Sequence, residues 1–237
     1  MGTYTNNRKL KKPNDDDEIW KYMDFTKFVS MLHYKSIHFT RVDKLKDPYD
    51  TSIASFFVEH TNLSESKLKE IKKLEEQRKK FFVSCWHINN DTDSAALWKV
   101  YMKSDEGIAI QTTVKKLVTI LEASDEDIPF DLASVNYDTT KLFVKTTKPD
   151  GKTLWSPKLS EILFTKRSCF QYENELRVIA AFHNPKSTGF NWGDLDIKSL
   201  IESICVNPEA STWVVSLVRD LAKSYKIEGK VYKSKIY

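Results

Sequence analysis

The sequence predicts one mixed α+β domain, with a central mixed or mostly antiparallel sheet and short helices between its strands. Three observations predict it. The chain has 237 residues, enough to bury one large core. Its 6 Trp, 10 Tyr and 13 Phe are an aromatic complement that disordered chains lack. Short runs with strand periodicity alternate with short helical patterns, and no long linker, repeat or low-complexity tract divides them.

Residues 1–18 read as a flexible polar tail. Lys9, Lys11 and Lys12 precede Asp15, Asp16 and Asp17, without the apolar middle of a signal peptide. The domain then runs over residues 19–237. Ile19 to Tyr22 reads as a short strand. Asp24 stands as an N-cap, with Phe25, Phe28, Met31 and Leu32 behind it at helical spacing. Ser36 to Thr40 reads as a strand leading to a turn forced by Asp47-Pro48. Thr61 to Lys80 predicts a polar helix. Asn62 and Glu65 have capping-box spacing, and Leu68, Ile71 and Leu74 form a narrow apolar stripe among charges of alternating sign.

Phe81 to His87 predicts a strand, and Asp91 to Asp93 lead into a short helix carrying Leu97, Trp98 and Tyr101. Gly107 turns the chain into a strand over Ile108 to Thr112, followed by a helix over Val114 to Glu122. Ala133 to Tyr137 predicts a strand and Lys145 to Lys152 a loop. Ser156-Pro157 supplies a cap and a first-turn proline, opening a helix to about Phe164. Glu173 to Phe182 predicts a strand and His183 to Gly193 a loop. Leu200 to Val206, Glu209 to Lys226 and Lys230 to Tyr237 make a strand–helix–strand end.

Several function classes are disfavoured. Gly2, Gly107, Gly151, Gly189, Gly193 and Gly229 spell neither G-x-G-x-x-G nor a Walker-type loop, which argues against a Rossmann crevice and a P-loop. Cys85, Cys169 and Cys205 are far apart and form no C-x-x-C, which suits a reducing cytosol and a cytoplasmic setting. The pair Cys85 and His87 lacks two further ligands of matching spacing, so no metal is expected. No apolar stretch approaches the ~20 residues of a membrane span, so no membrane partner is expected. Lys and Arg number 37 against 33 Asp and Glu, and the net charge of +4 is spread along the chain rather than gathered in a basic patch.

The most informative segment is Gln171-Tyr-Glu-Asn-Glu-Leu-Arg-Val-Ile-Ala-Ala-Phe182. On a strand, Glu173, Glu175 and Arg177 share one face with Ile179 and Ala181. The second half is apolar on both faces, which marks a doubly covered central strand. The charged trio therefore stands at the mouth of a buried strand, with next-but-one side chains roughly 7 Å apart. Two carboxylates so placed repel, one pKa rises, and the pair can act as acid and base or stabilise a cationic sugar-like transition state. The plain alternative is a structural Glu–Arg pair at the sheet rim.

Other residues carry two readings each. Lys166 and Arg167 can bind phosphate or satisfy a helix C-terminus. Asp47 and Asp50 flank Pro48-Tyr49, as turn residues or as a substrate contact. Trp98 and Tyr101 are either core or a stacking platform. Ser84 and His87 fall on different faces of their strand, so no Ser–His–Asp set follows from order alone.

Together, Lys44-Leu-Lys-Asp-Pro-Tyr-Asp50, Phe82-Val-Ser-Cys-Trp86, Leu97-Trp-Lys-Val-Tyr101, Glu106-Gly-Ile-Ala-Ile110, Val135-Asn-Tyr137 and Tyr172-Glu-Asn-Glu-Leu-Arg177 resemble an uncharacterised bacterial domain-of-unknown-function family. Its members show an Asn-Asp-Pro box, a Trp-x-x-Tyr helix and a terminal Glu-x-Glu-x-Arg strand; Lys46 stands here where many have Asn. Locally, Glu173-Asn-Glu175-Leu-Arg-Val also resembles the Glu-x-Glu strand of mono-ADP-ribosyltransferases. That likeness implies a split sheet, NAD as co-substrate, Glu175 as the catalytic carboxylate and Glu173 as its partner. It implies NAD contacts from His38 or Arg41 and from Ser84, with Arg177 and Lys166 as further cofactor-side residues. Asp47, Tyr101 and Trp98 are then substrate-side.

The leading expectation is thus NAD-dependent ADP-ribosyl transfer, or NAD cleavage, by a bacterial toxin or phage-defence effector. Its acceptor would be a protein or a nucleic acid, and an antitoxin or defence partner would accompany it. A metal-dependent nuclease using Asp47, Asp50, Glu173 and Glu175 with Lys166 is the second expectation. A non-catalytic sensor or interaction module, with the Glu-x-Glu-x-Arg row as a salt-bridge ladder, is the third.

Overall fold

A computed structural model describes residues 1–5, 7, 10–47, 49–52, 65–102, 104–139, 145–147, 153–155, 159–183 and 185–236. In chain order the elements begin with β1 (Thr3–Tyr4), β2 (Glu18–Met23), α1 (Phe25–Tyr34) and β3 (Ile37–Arg41). Next come α2 (Glu65–Arg78), β4 (Phe81–Ile88), α3 (Ala95–Tyr101), β5 (Ile108–Thr113), α4 (Val114–Glu122) and β6 (Pro129–Ser134). A small hairpin follows, β7 (Lys145–Thr147) with β8 (Thr153–Trp155), and then α5 (Leu159–Leu163). A 3₁₀ turn over Ser168–Glu173 leads into β9 (Glu175–Ala181). The chain closes with β10 (Gly189–Trp192), α6 (Ile197–Leu200), β11 (Ser203–Val206), α7 (Thr212–Ser224) and β12 (Lys230–Lys233).

The main sheet runs β1-β6-β9-β4-β2-β5-β11-β12, with β3 and β10 attached at β4. Its pairings are antiparallel except β1 with β6 and β11 with β12. The expected mixed, mostly antiparallel sheet is therefore present.

One face is the larger core. Phe82 and Trp86 of β4, Leu176 and Val178 of β9, and Ile108 and Ile110 of β5 pack there against Phe28 of α1, Leu117 of α4 and Val218 of α7. Burying each such side chain contributes about 1.5–3 kcal/mol. The opposite face packs Val83, Ala133, Leu163 and Ile179 in one group and Trp20, Trp98, Ala109 and Cys205 in another. From Glu175 to Ala180 every residue of β9 is buried, as expected of a strand covered on both sides.

β4 is the pivot of the sheet. One of its edges pairs with β9 over Phe81 to His87. The other edge is shared: β3 takes Val83 and Phe82 through Thr40 and Arg41, while β2 takes Ile88 and His87 through Ile19 and Trp20. Between them β2 turns away to lie along β5 for six residues. Among the described residues no strand pairs with that edge over Ser84–Trp86. Lys21 fills the gap: its Nζ donates to the Cys85 carbonyl at 3.1 Å and to Ser84 Oγ at 2.8 Å.

Several expectations change. Within the segment expected as a tail, β1 pairs with β6, and Lys12 Nζ donates to the Leu132 carbonyl at 2.9 Å. Gly2 fits so tightly that an added Cβ would lie 2.2 Å from the Leu121 carbonyl oxygen. The strand expected at Ala133–Tyr137 ends at Ser134, because the Asn136 amide turns to the Phe164 carbonyl at 2.8 Å. The expected loop His183–Gly193 contains β10, drawn in by pairing with β3. The end strand starts at Ser203, behind the one-turn helix α6. The caps at Asn62 and Ser156-Pro157 lie outside the described residues, as does 148–152 of the expected Lys145–Lys152 loop, whose first residues form β7.

The strand expected from Glu173 starts instead at Glu175. Asn174 adopts the left-handed conformation, φ 35°, which Asn tolerates better than most side chains. Its side chain donates to the Ile88 carbonyl at 2.7 Å, and its carbonyl accepts from the Ile88 amide at 2.9 Å. Glu173 is left on the preceding 3₁₀ turn. Glu173, Glu175 and Arg177 therefore do not form one row along a strand face.

Among the described residues no helix is long and apolar enough to cross a membrane.

Candidate functional site

The ionic residues of the 171–177 segment nonetheless meet. β9 places Glu175 and Arg177 on the smaller-core face, opposite His87 and Cys85 of β4. Arg177 is completely buried. Its Nε donates to Glu175 Oε1 at 2.9 Å and its Nη2 to Glu175 Oε2 at 3.0 Å. Nη1 donates to the Leu163 carbonyl at 2.8 Å. Nη2 also reaches both oxygens of Asp50, each at 2.8 Å.

Lys166 brings the second cation. Its ammonium lies 2.6 Å from Glu173 Oε2, 3.3 Å from Glu175 Oε2 and 3.4 Å from Asp50 Oδ2. Tyr101, at the end of α3, donates to Glu173 Oε2 at 3.2 Å. The Tyr137 hydroxyl accepts from the Glu175 amide at 2.9 Å.

Three carboxylates thus face two cations in a buried cluster, and the two glutamates respond differently. Burial pushes the Glu175 carboxyl up, but Arg177 and Lys166 outweigh it and hold it at about 2. Burial also pushes Glu173 up, and Lys166 offsets only part of this, so Glu173 stays above its ordinary value. Glu175 has both oxygens tied to Arg177. Glu173 has only Oε2 bonded among the described residues.

A pocket of about 40 Å³ opens beside the cluster, bounded by Glu173, Glu175, Tyr101, Tyr22, Cys85 and His87. It has space for a water but not for an aromatic ring. A larger cavity, about 300 Å³, is lined by Leu32, Lys35, Tyr225 and Ile227 among others and includes no cluster residue.

Of the residues singled out in sequence, Glu173, Glu175, Arg177, Lys166, Tyr101 and Asp50 come together. His38, Arg41, Asp47, Trp98 and Ser84 do not. His38 is exposed on β3, with Nδ1 2.8 Å from Asn191 Oδ1. Arg41 is bonded to Asp43 at 2.6 Å and to the Ser187 carbonyl at 3.0 Å. Asp47 accepts from the Tyr49 amide at 3.0 Å, as a turn residue does, and from Arg167 at 2.9 Å. Trp98 is buried, its Nε1 donating to Asp93 at 2.5 Å. Ser84 faces the larger core, bonded to Lys21.

For the nuclease expectation, Asp50, Glu173 and Glu175 do converge, but on the Lys166 ammonium, and Asp47 points to Arg167. Among the described residues no group of three His, Cys, Asp or Glu is arranged to hold a metal ion.

Sequence reasoning passed over Lys21, named Tyr137 only within a family box, weighed His87 only as a metal ligand or triad member, and weighed Asp50 as a turn residue, a substrate contact or a metal ligand. For Lys21 a signal existed. Ile19, Lys21 and Met23 alternate onto the core face of β2, so a lysine stands where an apolar residue belongs. Burial lowers that amine to about 8.

No family model matches the chain, and no curated protein is similar to it in sequence. Among solved structures, Thermus sp. 2.9 DarT in complex with ADP-ribosylated ssDNA is similar at a TM-score of 0.42 and 10% identity. The alignment covers 95% of this chain and 98% of that one.

Proposed function

We propose that this chain cleaves the glycosidic bond between nicotinamide and ribose in NAD and passes on the ADP-ribosyl group. The observation that carries this reading is the state of Glu173. It is a buried carboxylate with one oxygen that makes no hydrogen bond among the described residues, at a pocket also lined by Cys85 and His87 of β4. A carboxylate held in a low-dielectric site stabilises positive charge developing on ribose by several kcal/mol. Glu173 is then the group that meets the ribose. Glu175, locked by Arg177, positions Lys166, which in turn fixes the Glu173 oxygen.

The pocket admits no nicotinamide ring, so NAD lies against its mouth, where Tyr101 stands. The absence of a glycine fingerprint is compatible with this, since the charge is met by side chains rather than by a phosphate-binding turn. The acceptor is a protein, a nucleic acid or water, and a toxin or defence role follows if a cellular acceptor is modified.

The test is incubation of the purified chain with isotopically labelled NAD, alone and with cell lysate, beside Glu173→Gln. Label transfer or nicotinamide release by wild type, lost in the variant, supports the reading. Equal signals from both remove Glu173 from the role.

A second reading has its own support. Both Glu175 oxygens are bonded to Arg177, as in a purely structural ion-pair ladder. On that reading NAD neither binds nor shifts the melting temperature.

A further inference from the structure

His87 lies on β4, directly across from Glu175. Its Nδ1 is 2.6 Å from the backbone carbonyl oxygen of Glu173. A carbonyl only accepts, so Nδ1 carries the proton and Nε2 is left with a free lone pair. Nε2 makes no hydrogen bond among the described residues, and the ring lines the same pocket as Glu173. The ionisable groups around it are Tyr22 from β2, Cys85 on its own strand, Tyr101 from α3, Glu173 from the 3₁₀ turn and Glu175 from β9. Lys166 stands behind Glu173.

None of these groups is hydrogen-bonded to Nε2 among the described residues. Burial lowers the pKa of His87, more than the Glu173 carbonyl raises it. Burial, and then Glu175, raise the Cys85 thiol, so Cys85 does not compete as a base. Tyr101 is raised by burial and by Glu173, and its hydroxyl already donates a hydrogen bond to Glu173. The site therefore holds a neutral base, a carboxylate and a space of about 40 Å³ between them. That space suits a water, which needs roughly 10–15 Å³ of this kind of volume and two or more polar partners.

We propose that His87 is the proton acceptor of this site, and that the nucleophile it deprotonates is a water held in the pocket, so that the chain hydrolyses NAD. This rests on the NAD reading above and names its acceptor. The ribose C1′–N bond breaks, and nicotinamide leaves as a neutral base with the bonding pair. The water oxygen bonds to C1′, and one water proton passes to His87 Nε2. The products are nicotinamide and ADP-ribose, and the proton then returns to solvent.

The test uses His87→Asn, whose side-chain amide can keep the hydrogen bond to the Glu173 carbonyl while lacking a base at Nε2. Wild type and variant are compared for melting temperature and for nicotinamide and ADP-ribose release between pH 5 and pH 9. The expected result is an unchanged melt, a turnover lowered about 10²–10⁴-fold, and loss of the acidic limb of the wild-type profile. His87→Gln serves as the second variant if His87→Asn melts early. Turnover by the variant within about threefold of wild type overturns the role of His87 and leaves the NAD reading standing. Label appearing on macromolecules without free ADP-ribose overturns water as the acceptor. No nicotinamide from wild type at any pH overturns both.

Discussion

Arg177 Nη2 lies 2.8 Å from both carboxylate oxygens of Asp50, a residue 127 positions earlier in the chain. The same guanidinium holds Glu175 at 2.9 and 3.0 Å, so one buried cation ties Asp50 to the central strand. Truncating one partner of such a set leaves the others charged and buried. Arg177→Ala is expected to lower stability by about 3–5 kcal/mol in urea unfolding. Arg177→Lys is expected to recover little of it, since an ammonium cannot reproduce the two-sided fork.

The two glutamates are expected to separate stability from activity. Glu175 titrates at about 2 in the fold against an ordinary 4.5. Between those values the unfolded chain binds more protons, so the contribution of Glu175 is complete above pH 4.5 and is lost as pH falls through about 2. The stability gap between wild type and Glu175→Gln should therefore be widest near neutral pH and shrink on acidification. Urea midpoints measured from pH 6 to pH 2 check this.

Glu173 behaves in the opposite sense. Its carboxyl is raised, so ionising it costs the fold stability as pH climbs past its ordinary range. Glu173→Gln is expected to unfold at no lower urea concentration than wild type at pH 7, while losing the activity. A residue that weakens the fold it belongs to is the pattern expected of a working site.

Lys21 gives a third dependence. Its amine titrates at about 8 in the fold against an ordinary 10.5. Over that interval the unfolded chain binds more protons, so wild type gains stability as pH rises through it. The gain of wild type over Lys21→Met, followed by urea midpoints from pH 7 to pH 10.5, should climb. A flat difference would place Lys21 in open solvent.

Tyr137→Phe removes the acceptor of the Glu175 amide. An unsatisfied buried amide costs about 1–3 kcal/mol, which thermal unfolding can read.

The sheet and its principal strands were legible because strand periodicity and turn residues act locally. β4 and β5 follow from short apolar runs beside turn residues, and the second half of β9 from a run that is apolar on both faces. β10 was not legible, because Gly189–Trp192 becomes a strand only through its pairing with β3. The start of β9 was misplaced by two residues, since Asn174 breaks the alternation with a left-handed backbone that composition does not announce. In the site, Glu173, Glu175, Arg177 and Lys166 are close in sequence and could be grouped before folding. Asp50 and Tyr137 arrive from distant segments, and only the topology delivers them. The residues assigned by likeness alone, His38 and Arg41, stand on β3 with partners of their own.

The most direct measurement is nicotinamide released from NAD by the purified chain, followed by chromatography for wild type and Glu173→Gln. Steady release by wild type, a variant at least about 100-fold slower, and a variant melting temperature no lower than that of wild type are expected. Release at the same rate by both proteins, or none from wild type across the pH range, contradicts the role of Glu173.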